Sequence, residues 1–460
     1  MSSVIGSAQG RHLAGRVATM LQPDLRKDYP RLLRGEGVEV IDSSGHRLLD
    51  AAAGVGVLAL GYSVPEIVDA MSAQAYRLPY VHAMQFTTDV VTEFAAELAS
   101  VCPNEISDFF VCCGGSEAME SALKIARQYH VERGQGTRYQ FIGRWQSFHG
   151  NTLATQAVGG HLARRRRHLP LLLPFPHIEP PNCYRCGSME NHADCGIRFA
   201  EYLRVAIERA GPESVAGFVM ETIGGSTMGA VVPPDNYLRR VREICDEYGV
   251  LLILDEVFTA IGRSGTNLAL DHWNVVPDLV VMGKGVAAGF VPIGVVGIRE
   301  GVARAFEQGS GLLEHNFTFA SDPIVCAAGA AAIRLMAERD IASHARQAGS
   351  WLRDALVPLM DTSDIVGDVR GKGLLIGIEF VQDRDSKTPF PAEARLSRRL
   401  TEKAYENGLI VYPGTGTVDG LIGDHVTLCP PLIITEEQTA EIASRLADSI
   451  RAVEADLGVS

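Results

Sequence analysis

A lysine and an aspartate each follow a short apolar run near the middle of the chain. Asp255 follows the run Val250–Leu254. Lys284, twenty-nine residues later, follows the run 279–282 and one glycine. Continuous apolar runs of this length are typical of buried parallel strands, whose carboxyl ends meet at the crevice where open α/β sheets bind ligands. An amine and a carboxylate in one crevice suit pyridoxal phosphate. The amine forms a Schiff base with its aldehyde, and the carboxylate keeps its pyridine nitrogen protonated.

The strand that ends in Asp255-Glu256 also fits the Walker B strand of an ATPase. An ATPase would need a phosphate-binding loop, Gly-x-x-x-x-Gly-Lys-Ser/Thr, elsewhere in the chain. The runs 283–285 and 371–373 both read Gly-Lys-Gly, without the hydroxyl residue or the upstream glycine. We therefore disfavour an ATPase. A purely structural carboxylate at the strand end remains the alternative for Asp255.

A glycine pair lies between a predicted strand, 108–112, and an alanine-rich helix. It belongs to the segment Cys113-Gly-Gly-Ser-Glu-Ala118. Glycines let backbone amides approach a ligand, and the start of the helix presents N–H groups and a positive dipole end to an anion. Gly115 and Ser116 are therefore candidates to bind a cofactor phosphate, although a tight turn from strand to helix would have a similar sequence.

A flat cofactor ring needs an apolar or aromatic side chain against each face. Phe148 follows another predicted strand and could stack on one face, while Val257, two residues after Asp255, could cover the other. Taken alone, an aromatic residue here is more often part of a core. His149 is by default a structural histidine, with a cofactor contact as the alternative.

These residues need a sheet that brings strand ends together, and the predicted elements supply one. Strands and helices alternate from about residue 90 to 335, which indicates an α/β fold with a mostly parallel sheet covered on both faces. Strands are predicted at 108–112, 139–142, 217–220, 250–254, 279–282 and 293–298, and helices at 64–77, 116–132, 236–248 and 323–338. Helix caps are expected at Asp235, at Asp322 before Pro323, and at Thr435 in a capping box.

The predicted layout has a large domain and a smaller one. We expect residues 71–336 to form the large cofactor-binding α/β domain. Residues 1–70 and 337–460, which have a different, α+β texture, are expected to form the smaller domain together.

Together these motifs resemble the class III (subgroup II) pyridoxal-phosphate aminotransferases of fold type I. The resemblance runs from about residue 37 to 432 and is strongest at 252–265, 277–284 and 317–319. It implies that Lys284 forms the Schiff base with the cofactor and that Asp255 pairs with the pyridinium nitrogen. It also implies that the residues at 115 and 116 bind phosphate through backbone and hydroxyl groups.

Two further positions carry over from the resemblance. Thr318 would add a phosphate contact from the neighbouring subunit, which implies a homodimer or larger oligomer with shared active sites. Glu221 matches a glutamate that lines the site and that in some relatives pairs with a mobile arginine. Here Thr222 replaces the proline that usually follows this glutamate. The sequence also departs from the family at Ala260 and Cys113, neither of which touches the central chemistry.

One departure bears on the substrate. Relatives that bind the α-carboxylate of glutamate or ornithine carry arginine at the place of Thr427, and no arginine lies between Leu400 and Arg445. A bidentate arginine–carboxylate clamp cannot be built from that strand. This favours the ω-amino-acid and amine transaminase branch. The run Arg164–Arg167 is interpreted as a solvated loop, with an interface or a substrate-carboxylate anchor as the alternatives.

Composition excludes several classes of protein. A net charge of −13 over 460 residues argues against a broad basic face for nucleic acid. The N-terminus has no signal pattern and no apolar run is long enough to span a membrane, so a soluble cytoplasmic protein is expected. Nine cysteines, an odd number, favour free thiols. We expect no metal, although Cys183, Cys186, His192 and Cys195 could form a zinc site.

The predicted function is transfer of an amino group from an amine or ω-amino acid to a keto acid or aldehyde by a ping-pong mechanism. An aminomutase or amino-acid epimerase would use the same residues, and a non-enzymatic binding role would use only the fold. The apolar pocket candidates, Val55, Val57, Tyr80 and Phe148, suggest a bulky or uncharged amine end.

Overall fold

The computed structural model describes residues 12–13, 16–17, 20–187 and 194–459. The strands are β1 (His12–Leu13), β2 (Arg16–Val17), β3 (Leu32–Glu36), β4 (Glu39–Asp42), β5 (Arg47–Asp50), β6 (Ile106–Cys112), β7 (Gln140–Arg144), β8 (His177–Ile178), β9 (Val215–Glu221), β10 (Leu251–Asp255), β11 (Leu279–Gly283), β12 (Gly294–Arg299), β13 (Val366–Lys372), β14 (Leu375–Phe380), β15 (Leu409–Ile410), β16 (Tyr412–Thr415) and β17 (Asp424–Leu428). The helices are α1 (Ala53–Gly56), α2 (Pro65–Arg77), α3 (Asp89–Val101), α4 (Gly115–Glu132), α5 (Leu153–Val158), α6 (Leu162–Arg165), α7 (Cys195–Ala210), α8 (Tyr237–Tyr248), α9 (Glu300–Gln308), α10 (Pro323–Glu338), α11 (Ile341–Leu356), α12 (Leu359–Thr362), α13 (Leu396–Glu406) and α14 (Glu436–Leu457).

The large sheet has the strand order β6-β12-β11-β10-β9-β7-β8. Neighbouring strands from β11 to β8 run parallel, and β12 runs antiparallel to both β11 and β6. The central strands β9, β10 and β11 are buried along their whole length, which explains their continuous apolar sequences. The expected α/β fold with a mostly parallel sheet is confirmed.

The predicted strands of this sheet are all present, with boundaries within two residues of the expectation. In the register of β10 against β9, Asp255 lies opposite Glu221. On its other side Asp255 lies opposite Val281 of β11, three residues before Lys284. Parallel pairing therefore places three of the predicted site residues at one edge of the sheet.

Two smaller sheets come from the ends of the chain. One has the order β13-β14-β17-β16 and is antiparallel throughout. The other has the order β15-β5-β4-β3, in which Leu409 of β15 pairs with Leu49 of β5. An N-terminal and a C-terminal segment thus share a sheet, as a joint small domain requires. The domain boundaries at 70 and 336 stay a prediction.

The helix caps show where the local sequence is sufficient to predict the start of a helix. The Asp322 side chain accepts hydrogen bonds from Ile324 N and Val325 N at the start of α10, as expected. The capping box at Thr435 is also present. The cap expected at Asp235 is wrong, because α8 begins one residue later, with Asn236 at its N-cap position. Among the described residues, no helix is both long and apolar enough to cross a membrane.

Candidate active site

A cavity of about 320 Å³ lies at the carboxyl ends of β9, β10 and β11. Of the nine predicted site residues, eight line it: Gly115, Ser116, Phe148, His149, Glu221, Asp255, Val257 and Lys284. Thr318 does not line it and is exposed on the surface of the same subunit. The cavity therefore collects predicted site residues that are up to 169 positions apart in the sequence, from Gly115 to Lys284.

Lys284 occupies the turn directly after β11. Its backbone φ is +45°, a left-handed conformation that costs a residue with a side chain about 1–2 kcal/mol and is often kept at functional sites. The Nζ atom lies 3.8 Å from the centroid of the Phe258 ring. Burial lowers the pKa of this amine to about 8, although the Asp255 carboxylate acts in the opposite direction. A lysine in this environment supplies more neutral, nucleophilic amine than an exposed one.

Asp255 is buried and held by two hydrogen bonds. Its Oδ1 accepts from the backbone N–H of Val257 at 2.9 Å. Its Oδ2 lies 2.7 Å from Nδ1 of His149, and an Nδ1–H that donates to the carboxylate is the natural tautomer. The other ring nitrogen of His149, Nε2, is buried without a hydrogen-bond partner among the described residues. These bonds fix both the rotamer of Asp255 and the face it presents to the cavity.

Glu221 places a second carboxyl group in the cavity, on the strand next to that of Asp255. Its Oε1 accepts from the backbone N–H of Gly225 at 3.0 Å, whereas its Oε2 is buried and has no partner in the described part of the chain. Burial raises the pKa of this carboxyl group above its ordinary value. An unpaired buried carboxyl that lines a cavity is suited to contact a ligand.

The glycine pair forms a small cup at the start of α4, an 18-residue helix. A Cβ atom at Gly115 would lie 3.0 Å from Cγ1 of Val257, so a side chain there would close the gap between the helix start and the cavity wall. The hydroxyl of Ser116 accepts a hydrogen bond from the backbone N–H of Asn151 at 3.1 Å. Backbone amides at a helix start, next to a hydroxyl group, can bind a phosphate.

These features fit pyridoxal phosphate. The cup at Gly115 and Ser116 suits the phosphate, and Asp255 is a carboxylate that can pair with the pyridine nitrogen. Phe148 and Val257, which both line the cavity, can cover the ring. The amine of Lys284 lies in the same cavity. The donor set thus matches the group in charge, shape and reactivity.

The structure also corrects the sequence analysis of the pocket wall. Phe258 lines the cavity and lies beneath the Lys284 amine, a position the sequence analysis missed. Its only sequence signal was its place next to Val257. Val57 lines the cavity as expected, whereas Val55 and Tyr80 do not. Tyr80 instead donates its hydroxyl to the carbonyl oxygen of Thr318 at 3.1 Å.

The arginine run is not a uniform solvated loop. Arg165 is buried against the ring of Trp145, with its guanidinium carbon 5.6 Å from the ring centroid, so that expectation is wrong for this residue. Arg164 is exposed, and its guanidinium carbon lies 4.4 Å from the centroid of Phe148. Arg166 and Arg167 are exposed. The run therefore contains one buried residue and one that reaches a cavity-lining ring.

The structure describes only part of the candidate zinc motif Cys183, Cys186, His192 and Cys195. Sγ of Cys186 lies 3.6 Å from Sγ of Cys195, and His192 falls outside the described residues. Among residues that the structure describes, no group of three or more His, Cys, Asp or Glu side chains is arranged to hold a metal ion. The expectation of no metal stays a prediction.

The known proteins to which this chain is similar indicate the same chemistry. The family model described as "Aminotransferase class-III" matches residues 27–450. The chain is 34% identical over 438 residues to an "Uncharacterized aminotransferase YodT" of Bacillus subtilis, covering 95% of this chain and 98% of that protein. It is 33% identical to "Gamma-aminobutyrate transaminase 1, mitochondrial" of Oryza sativa subsp. japonica, covering 92% and 81%. The crystal structure of the omega transaminase from Pseudomonas jessenii in complex with PMP is similar, with a TM-score of 0.87, 30% identity and 94% of each chain covered.

The cup at Gly115 gives a direct test of cofactor binding. Gly115→Val should weaken binding of pyridoxal phosphate roughly 10-fold or more, because the new side chain would press on Val257 and fill the space for the phosphate. The dissociation constant is measured by titrating the apoprotein and following visible absorbance. Gly301→Val is the matched control, since Gly301 also lies in the first turn of a helix but has open space around it. Equal affinity of the two variants would contradict the assignment.

Proposed function

This chain belongs to the class-III aminotransferases, and on that premise we propose that Lys284 and Asp255 carry out amino-group transfer in the cavity described above. The enzyme depends on pyridoxal phosphate and has the type I fold. The observation that carries the assignment of these two residues is their placement. Both lie at the carboxyl ends of neighbouring parallel strands and line one cavity with the glycine cup.

Pyridoxal phosphate, when bound, supplies an electron-poor ring that stabilises negative charge on the substrate carbon. The chain's own residues hold it and direct the protons. Gly115 and Ser116 bind the phosphate, Phe148 and Val257 cover the ring, and Asp255 holds a proton at the pyridine nitrogen. His149 is a positioning residue, because its Nδ1–H donates to Asp255 and fixes the orientation of that carboxyl group.

Lys284 has two tasks in this proposal. Its amine would hold the cofactor before the substrate arrives. Once displaced, its Nζ removes the proton from the carbon that bears the substrate's amino group and later returns it. A pKa of about 8 places this amine near the operating pH of a general base. The ring of Phe258 beneath Nζ limits its movement and keeps water from that side.

The substrate proposal follows from the missing arginine. Thr427 is fully buried within β17 and does not line the cavity, and no arginine lies between Leu400 and Arg445. The cavity wall therefore lacks a cation to pair with an α-carboxylate from that segment. We propose an amine or ω-amino acid as donor, and a keto acid or aldehyde as acceptor. The names of the relatives, a gamma-aminobutyrate transaminase and an omega transaminase, agree with this class.

A homodimer is proposed for the working enzyme. Tyr76, Met84 and Phe86 are exposed large side chains close to Tyr80 in the sequence, and Tyr80 contacts Thr318 and packs edge-on against the exposed Phe319. An exposed apolar patch of this kind is typical of an interface. Because Thr318 lies outside the cavity of its own subunit, it is available to complete the phosphate site of a partner. We also propose a cytoplasmic location, which the buried free thiols of Cys112, Cys245, Cys326 and Cys429 support.

Ping-pong transfer predicts two separable half-reactions. With an amine donor and no acceptor, the wild-type enzyme should release about one equivalent of carbonyl product per subunit and then stop. Lys284→Ala should release none and should not retain pyridoxal phosphate after borohydride reduction, as measured by mass spectrometry. Lys372→Ala is the matched control, since Lys372 is also flanked by two glycines yet lies outside the cavity. Continuous product formation without an acceptor would instead indicate a mutase or epimerase.

The lowered pKa of Lys284 predicts a pH dependence. The neutral amine is the reactive form, so covalent labelling of Lys284 in the apoprotein by pyridoxal phosphate and borohydride should rise with pH, with a midpoint near pH 8. An unperturbed lysine would have its midpoint near its ordinary value of 10.5. Asp255→Asn should move the midpoint to lower pH, because the Asp255 carboxylate raises the pKa of this amine. A midpoint near 10.5, or an upward move in Asp255→Asn, would contradict the proposal.

Active sites shared between two subunits predict that two inactive or impaired variants complement each other in a mixed dimer. Thr318→Ala should bind pyridoxal phosphate more weakly. A mixed dimer of Thr318→Ala and Lys284→Ala subunits should contain one site with an intact lysine and the partner's intact threonine. It should therefore show about half of wild-type activity and a normal cofactor affinity at that site. If Thr318 acts within its own subunit, the mixed dimer will bind the cofactor as weakly as Thr318→Ala does.

A further inference from the structure

A second cavity, of about 550 Å³, lies beside the active-site cavity. It is bounded by Arg164 of helix α6 on one side and by residues 413–415 of strand β16 on the other. Ser226 lines both cavities, so the two adjoin at this residue. A substrate whose reacting end lies near Lys284 therefore has a neighbouring space for its far end.

The charges that line the second cavity do not balance. Its acidic residues, Asp24 and Glu402, both act on Arg398, which forms an ion pair with Glu402 at 2.9 Å. Lys27 and Arg164 have no ion pair and no side-chain hydrogen bond with any residue in the described part of the chain. Three cations against two carboxylates leave the lining with one net positive charge, which makes this cavity attractive to an anion.

Arg164 is a cation of the second cavity that contacts the wall of the active-site cavity. Its guanidinium stacks on Phe148, whose ring lines the active-site cavity. The ring accepts no N–H hydrogen bond that the structure records, so the N–H groups of Arg164 are available for a bidentate bond to a carboxylate. The backbone N–H of Ala163 donates to the carbonyl oxygen of Gly420 at 3.3 Å, which ties α6 to the loop between β16 and β17. The side chain thus projects from an anchored backbone.

The other arginines of the run are less suitable. Arg165 is buried, stacks on Trp145 and lies 3.1 Å from Nε2 of His177 through its Nη1 atom. Arg166 and Arg167 line neither of the two cavities. The geometry therefore singles out one member of the run.

We propose that Arg164 is the substrate-carboxylate anchor of this enzyme and that it selects donors and acceptors with a remote carboxylate. The proposal rests on the proposed transamination at Lys284. Because Arg164 lines the second cavity and not the first, the carboxylate it binds must be several bonds away from the reacting carbon. The natural substrates are then ω-amino acids and keto acids with a second, distal carboxylate. This anchor lies on the large domain and replaces the arginine that the C-terminal segment lacks.

The first test compares two donors of equal length in the wild type and in Arg164→Ala. With 6-aminohexanoate, kcat/KM should fall roughly 10- to 100-fold, mostly through KM, because the carboxylate loses a charge-assisted bidentate bond. With hexylamine, kcat/KM should change less than about 3-fold, since this donor has no carboxylate to bind. Arg166→Ala is the matched control from the same run and should leave both donors unchanged. Equal losses for the two donors in Arg164→Ala, or no loss for 6-aminohexanoate, would overturn the proposal.

The second test measures binding without turnover. Glutarate, an unreactive dicarboxylate, is titrated calorimetrically into the holoenzyme. It should bind roughly 10-fold more weakly to Arg164→Ala than to the wild type or Arg166→Ala. Unchanged glutarate affinity in Arg164→Ala would overturn the assignment of Arg164. If the wild type transaminates no amine, the proposed function fails, yet the glutarate titration still decides whether this residue binds carboxylates.

Discussion

The active site depends on the parallel pairing of β9, β10 and β11. Side-by-side parallel strands end at the same edge of the sheet, so the residues that follow them meet without any long connection. Asp255 is the last residue of β10, and its partner on β11 is only three residues before Lys284. The left-handed turn at Lys284 then directs the chain away from the sheet. The buried, apolar strands keep this register, because a shift by one residue would exchange their two buried faces.

Burial at this edge of the sheet shifts the pKa values of the amine and of the carboxyl group in opposite directions. The pKa of Lys284 is lowered to about 8 and that of Glu221 is raised, in both cases mainly by desolvation. Asp255 differs from Glu221 because both of its oxygens have hydrogen-bond partners. One carboxyl group is thus held in a fixed orientation, while the other keeps one oxygen, Oε2, without a partner among the described residues. The same sheet edge therefore presents one carboxyl group in a fixed orientation and one that has an oxygen left to contact a ligand.

Much of the fold and site could be predicted because their signals are local. Continuous apolar runs located the central strands, and glycine pairs and charged strand ends located the residues of the cavity. The misses have a common physical origin. Phe258 and Arg165 acquire their positions from tertiary contacts, the former with Lys284 and the latter with Trp145. Val55 and Tyr80 were expected in the pocket as part of an apolar set, but neither side chain lines the cavity. Contacts between distant segments leave no short-range pattern in a single sequence.

Different segments of the chain form the candidate active site and the wall of the second cavity. Substrate specificity can therefore vary while the chemistry does not. The reacting groups come from the large sheet, but one wall of the second cavity comes from β16, in the C-terminal segment. That segment is joined to the large domain by a buried ion-pair network in which Glu379 bridges Arg185 and Arg370. Arg370 also donates to the carbonyl oxygen of Gly229, three residues after Ser226, which lines both cavities. A change in the proposed anchoring residue can therefore alter which distal group of the substrate is bound without moving Lys284 or Asp255, because these lie at the end of the large sheet and Asp255 is held by Val257 and His149.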